Sequence, residues 1–428
     1  MSDIPRRRWL TFLLLSMTGG VIYQVAYIRF VFLEDTYTAL RLTGQEYGVV
    51  ISVFGAVATV MYFFGGWFSD RYSPKLLITV ALVGTGAADF VLASVPSFTG
   101  ILLAHVVMAV MGMALYWSAL VKAIGMLGSA SEQGRLFGFL EGARGITSTI
   151  VGLVGAGIVA AAVVPSGGVL TLIRIYGALC FVFAALVWLF VREDRARIDA
   201  LGRSTVTLGQ LLVAARNPYT WLIGGTIALA FCFYTTLGYF SPLLQNEFGV
   251  GAAALSIIGV VRSYVFQFVA GPVGGVIVDT VTHSTSRFLR LMFAVSLVFS
   301  AAFLLLPRSP ELVGLAVVLL LLLCIPVFMS RGVYWATVGE LGIPENQRGG
   351  VIGLASGLAY LPDAFLPALC AWWIGDPNAA TPVPERGGGY SALFVFLLVA
   401  AALGILLTSI TARLHERRRR EALVSAPL

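Results

Sequence analysis

The stretch GGWFSDRYSPK, residues 65–75, is a short polar interruption in a chain that is otherwise apolar over long distances. It lies between apolar runs at about 45–68 and 76–95. Each run is long enough to cross a hydrocarbon layer, which takes about 20 residues of helix. The stretch therefore reads as a tight turn joining two membrane spans. A weaker copy follows: FGGWFSDR (64–71) matches VGGVIVDT (273–280), with Asp279 lying 209 residues after Asp70, close to half of the 428-residue chain. A second pair repeats at a similar interval, LYWSALVKAIG (115–125) with VYWATVGELG (333–342). Two halves built on one plan are expected.

Composition leads to the same solvent. Hydrophobic residues make up 58% of the chain and charged residues 11%, less than half of the roughly 25% charge of a soluble domain. Cys180, Cys232, Cys324 and Cys370 all sit in apolar runs without paired spacing, so neither a disulfide framework nor a zinc site is expected. His105, His283 and His415 are far apart. The sequence contains no HExxH, GxSxG or GxxxxGK[ST]. It reads as no enzyme, with no cofactor and no metal.

Twelve runs can span a bilayer: 9–33, 45–68, 76–95, 99–126, 135–163 and 169–191, then 218–244, 250–278, 288–306, 311–338, 349–375 and 389–412. The basic start MSDIPRRRW leads into an apolar stretch without a convincing cleavage site, so it reads as a retained first span. The fold class expected is all-α integral membrane, with twelve transmembrane helices in two six-helix pseudo-repeat bundles. The division expected is a first bundle at 1–191, a linker at 192–217, a second bundle at 218–413 and a basic tail at 414–428. With the N-terminus inside, the arginines near 6–8, 71, 192–216, 287–290, 348 and 413–420 fall on one side and only Arg41, Arg308 and Arg386 on the other, with Arg174 near it. The positive-inside rule then puts both termini in the cytoplasm, and a bacterial inner membrane is the setting expected. The run RLHERRRREA (413–422) reads as an anchor to anionic lipid rather than a nucleic-acid site.

The 65–75 turn resembles the signature loop of the major facilitator superfamily, G-x-x-x-D-R-x-x-x-R/K, carried here by Gly66, Asp70, Arg71 and Lys75 and echoed at Gly275 and Asp279. The resemblance implies a secondary transporter in which this loop helps to gate. The order YQVAYIRF, GQEYG, SDRYSPK looks like the organophosphate:phosphate antiporter branch. That branch has an arginine in the first span, which Arg29 would match, and a second in the seventh. Here no Arg or Lys occurs between Arg216 and Arg262, so proton symport is expected in place of phosphate exchange.

Charges inside spans single out the site. Arg29, Asp89, Glu141, Arg144, Arg262, Arg331 and Asp363 fall within apolar runs, each at a cost of about 2.5–3.5 kcal/mol on the insertion scale when at a helix centre. Four arginines against three acids leave a positive interior, and a guanidinium grips a carboxylate or phosphate with two parallel donors. The expected cavity binds a small organic anion through Arg29, Arg144, Arg262 and Arg331, lined by Tyr27, Tyr116, Trp117, Tyr234 and Tyr334. Asp363 and then Glu141 are the candidates for carrying the proton. Glu141 and Arg144, three residues apart on a helix, can also pair with each other. The partners expected are an anionic solute, protons and membrane lipid, with the chain acting as a monomer. The competing reading is a proton-driven efflux pump for amphipathic or cationic compounds, and the arginine excess speaks against it.

Overall fold

In a computed structural model, the structure describes residues 6–127, 133–192, 213–341, 343, 345–375 and 388–424. Every regular element among them is helical: α1 Arg6–Val21, α2 Arg29–Ala39, α3 Gly44–Arg71, α4 Pro74–Ala93, α5 Phe98–Gly125, α6 Gln133–Ala161, α7 Pro165–Phe190, α8 Pro218–Asn246, α9 Ala254–Thr282, α10 Thr285–Leu305, α11 Pro310–Glu340, α12 Glu345–Ala359, α13 Pro362–Ile374 and α14 Gly389–Val424. Eleven stretches of these described residues are long and apolar enough to cross a membrane, α12 and α13 together forming one. The remaining span is the first. It was expected as one helix over 9–33, but the chain leaves the helix after Val21 and resumes at Arg29. Gly20, just before the break, packs where a Cβ would stand 2.6 Å from the Thr147 side chain of α6. Two poor helix formers, Gly19 and Gly20, immediately precede the turns over 22–28. The molecule is an all-α integral membrane protein of twelve spans in two pseudo-repeat bundles. Most of the expected linker, 193–212, lies outside the described residues. α14 runs on as helix past the apolar stretch into the basic tail.

Helix ends follow local chemistry. Thr43 and Glu46 form a reciprocal capping box at the start of α3. Ser73 caps α4 with Pro74 in its first turn, so the 65–75 turn is fixed by its own sequence. Large apolar side chains such as Leu153, Val182, Val298 and Leu406 remain exposed, as they must where lipid is the solvent. Small residues mark the close crossings. A Cβ on Gly177 of α7 would stand 3.1 Å from the Gly86 carbonyl of α4.

The described residues pack as two units. The first holds residues 6–192 together with 250–268, and the second holds the rest. Residues 250–268 belong to the first unit for visible reasons. A Cβ on Gly259 would lie 3.0 Å from the Val31 backbone. The Arg262 guanidinium donates to the Phe30 carbonyl, and the Tyr264 hydroxyl lies 2.9 Å from Gln24 Oε1.

Two predictions follow from this packing. In the second unit, a Cβ on Gly332 of α11 would meet Gly271 of α9 at 2.6 Å, backbone against backbone, whereas Gly275 has nothing within 4 Å. Gly332→Val is expected to cost about 1–3 kcal/mol through overpacking, and Gly275→Ala close to nothing, read as thermal unfolding midpoints in detergent. Arg262→Met leaves the buried Phe30 carbonyl without its charged donor and is expected to cost about 2 kcal/mol. An unchanged unfolding midpoint would remove Arg262 from the role of an anchor.

Candidate functional site

In the first unit the site is built where α5 widens. Residues Val110–Trp117 form π turns, a geometry that loosens the regular backbone ladder and is frequent at functional sites. Side-chain hydroxyls reach into this region. The Tyr23 hydroxyl donates to the Gly112 carbonyl at 2.9 Å, and Ser118 Oγ donates to the Gly65 carbonyl at 2.8 Å and the Ala114 carbonyl at 3.4 Å. Tyr116, fully buried, shares a 2.7 Å hydrogen bond with Thr18 and packs edge-on to Tyr23. Trp117, beside it, is half-buried.

Arg144 of α6 meets this surface about 17 Å along its helix from Gln133. Its guanidinium lies over the Trp117 ring, 4.9 Å from the centroid. Nη1 is 2.6 Å from Glu141 Oε1, and Nε reaches the Gly19 carbonyl at 3.4 Å. The side chain retains 16% exposure and Glu141 53%. The three-residue spacing that allowed this ion pair is realised. The arginine is held by a carboxylate, a ring face and a broken-helix carbonyl, yet it is still open to solvent.

The second unit carries a comparable arrangement. Arg331 of α11 lies over the Tyr234 ring of α8 at 3.7 Å from the centroid. Tyr334 and Tyr360 lie within electrostatic reach of it. Phe231 packs edge-on to Tyr360, and Phe328 packs edge-on to Tyr234. Arg331 is half-buried, and its Nη1 has no hydrogen-bond partner among the described residues. Tyr334 opens a single 3₁₀ turn, so the repeated Tyr-Trp pair stands on irregular helix in both units.

Arg29 and Arg262 differ. Their exposures are 1% and 0%. Arg29 lies near the rings of Tyr27 and Phe30, at 5.3 and 4.8 Å, and Arg262 stands on a π turn with its hydrogen bond to Phe30. Both are sealed from solvent, in contrast to Arg144 and Arg331. The structure thus brings together Arg144, Trp117, Tyr116 and Glu141 in one cluster, Arg29, Tyr27 and Arg262 around Phe30 in another, and Arg331, Tyr234 and Tyr334 in a third. Asp363 is buried at the start of α13, just past the break at Tyr360 and Leu361, and accepts a 2.8 Å hydrogen bond from Thr235.

The signature turn is described only in part. Nothing is described of the Gly66 and Asp70 side positions. Arg71 stacks on Trp67 at 3.8 Å and Lys75 lies over Trp188 at 5.0 Å. Lys122 donates to the Ser69 carbonyl at 2.6 Å, at the α3 end where carbonyls lack helical partners. A carboxylate is favoured against a neighbouring helix N-terminus, but Asp279, at the repeat position of Asp70, is exposed. In the second unit Glu340 takes that place, accepting from the Ser286 N–H and hydroxyl at 2.8 and 2.7 Å and from the Ser284 hydroxyl at the head of α10. Gln24, Tyr264, Tyr360 and Glu340 were not singled out from the sequence. Gln24, a polar amide within an apolar span, was the one with a signal to read.

The Major Facilitator Superfamily profile matches residues 9–367. The inner membrane protein YqcE of Escherichia coli is 29% identical over 405 residues, 94% of this chain and 93% of that protein. The hexuronate transporter of Bacillus subtilis is 24% identical over 392 residues, 87% of this chain and 89% of its own. Among solved structures, a bacterial homologue of the human lysosomal transporter Spinster superposes with a TM-score of 0.70 at 14% identity, covering 97% of both chains. With the profile match running over most of its length, the chain belongs to the Major Facilitator Superfamily and is a membrane transporter, not an enzyme.

Proposed function

We propose that the chain is a secondary active transporter that moves a small organic anion, a sugar acid or related carboxylate, by alternating access and at the expense of a proton gradient. The two six-helix halves, 1–191 and 218–413, would move about the linker 192–217, in a bacterial inner membrane with both termini in the cytoplasm. One observation carries the reading: each packed unit holds, within a membrane span, an arginine that is stacked on an aromatic ring and left partly accessible, Arg144 on Trp117 and Arg331 on Tyr234. A guanidinium in that setting keeps its charge and its planar donors for a carboxylate, while the ring supplies a cation–π contact of about 0.5–2 kcal/mol and an apolar face for a sugar ring. The similarity to a protein named as a hexuronate transporter supports a sugar acid, and the similarity to proteins named as inner membrane proteins supports the location. In this reading Tyr116, Tyr334 and Trp117 shape the pocket, and Arg29 and Arg262 hold the fold. Gly66, Asp70, Arg71, Lys75 and Asp279 serve the gate.

Coupling follows from the occupancy of Arg144. Glu141 already holds its Nη1. A solute carboxylate arriving at the same guanidinium competes with Glu141, and a proton on Glu141 removes the competitor. Asp363, held by Thr235 beside a helix break, is the second proton candidate.

Two measurements test this. Thermal-shift screening of the purified protein is expected to show stabilisation by hexuronates and similar anions. Arg144→Ala and Arg331→Ala should each weaken that binding by roughly tenfold or more, the loss of one charge-assisted pair of about 1.5–3 kcal/mol. Stabilisation by cations alone would favour the efflux pump instead. In proteoliposomes, Glu141→Gln is expected to retain anion binding while uptake loses its response to an imposed pH gradient, and Asp363→Asn to weaken that response. Wild-type pH-gradient dependence in both variants would dismiss proton symport through these acids.

A further inference from the structure

A groove on the second unit plays no part in the arginine site. Pro218, Tyr219 and Trp221 at the start of α8, with Leu407, Ile410 and Leu414 near the end of α14, line a cavity of ≈ 540 Å³. Its wall is hydrocarbon and aromatic ring. Trp221 leaves 52% of its surface exposed, and its indole N–H is fixed by a 2.9 Å hydrogen bond to the Ala215 carbonyl. An amphipathic ring anchored in this way is typical of the depth where headgroups meet acyl chains. The lining lies at the first turns of one span and the last turns of another, so the groove opens at that same interface.

Charge gathers along one edge of it. Arg413 and Arg417 follow Ile410 and Leu414 by three residues each, which puts all four on one face of α14. Arg216 precedes Pro218 by two residues. All three arginines are exposed, and none forms an ion pair with another described residue. The nearby acid Glu416 is engaged by Arg287 at 2.6 Å. A general attraction of basic residues to the membrane surface needs no cavity, and an apolar cavity alone would take any lipid. Three exposed guanidinium groups, none ion-paired among the described residues, at the edge of an acyl-sized slot select one chemistry.

We propose that this groove is a binding site for an anionic phospholipid. One acyl chain lies against Trp221, Leu407 and Ile410, and the phosphate is gripped by Arg216, Arg413 and Arg417. Bound there, the lipid ties the first span of the second half to its last and stabilises the folded protein by linkage.

The test is thermal unfolding of the purified full-length protein in nonionic detergent. Phosphatidylglycerol is expected to raise the midpoint by about 5 °C or more. Phosphatidylcholine with the same chains should give less than about half that shift, and glycerol 3-phosphate, a headgroup without chains, none. The triple variant Arg216→Gln, Arg413→Gln, Arg417→Gln should lose most of the phosphatidylglycerol shift while its lipid-free midpoint stays near wild type, because all three side chains are exposed. Ile410→Trp, which fills the groove and keeps the arginines, should lose it as well. Equal shifts with both lipids, a full shift with glycerol 3-phosphate, or a shift retained in either variant would overturn the proposal. If the triple variant does not fold, retention of phosphatidylglycerol over phosphatidylcholine by the wild type in native mass spectrometry, abolished by Arg413→Gln alone, decides the matter on the same terms.

Discussion

A guanidinium does not shed its proton inside a bilayer, and hydrocarbon offers it no water. Every arginine carried into a span must therefore be met by protein, by solute or by a wet opening, and the surrounding helices are arranged around that demand. Arg262 is met by a backbone carbonyl and is wholly enclosed. Arg29 is enclosed among aromatic rings, with Tyr47 and His105 within electrostatic reach. Arg144 and Arg331 are met only in part. A ring covers one face of each, and each keeps part of its surface open. The same rule thus separates sealed arginines from partly open ones, and the separation turns on exposure rather than on residue type.

The positions that hold these arginines are places where regular helix fails. The first span breaks after Val21, the fourth widens into π turns at Val110–Trp117, the eighth does so at Val261–Val265, and the eleventh parts before Pro362. Irregular backbone at membrane depth is tolerated only where its polar groups are satisfied by protein or line a cavity. Tyr23 on the Gly112 carbonyl, Gln24 on the Gly20 carbonyl and Tyr239 on the Pro367 carbonyl supply that satisfaction. The polar side chains near the site therefore have two occupations, and several that look available for solute are already spent on backbone.

This distinction explains what could be read from the sequence. Span count and the two-half plan depend on the length of apolar runs and on the Asp70 and Asp279 echo, which are one-dimensional quantities. The pairing of Glu141 with Arg144 is a matter of three-residue helical spacing and was legible for the same reason. Whether an arginine is sealed is not, because it depends on which helix lies across from it. Arg262 and Arg331 look alike in a linear string, each an isolated cation in an apolar span. One faces a carbonyl exposed where the first span resumes, and the other faces Tyr234. The break at 22–28 was hidden because a Gly-Gly pair in an apolar run is compatible with a straight span.

The helix-capping carboxylate shows how the repeat diverges in use while its outline is kept. Asp279 occupies the repeat position of Asp70, yet it is exposed, and the N-terminus of α10 is capped instead by Glu340 from the end of α11. A helix N-terminus rewards any carboxylate that reaches it, whichever segment supplies it. Once Glu340 satisfies the serine hydroxyls and the first N–H groups of α10, no electrostatic pressure remains to keep an acid at 279 in the same task. Thr280 stands where the first half has Arg71. What the second half holds at that helix end is a negative charge, supplied from the end of α11 rather than from the position the repeat marks.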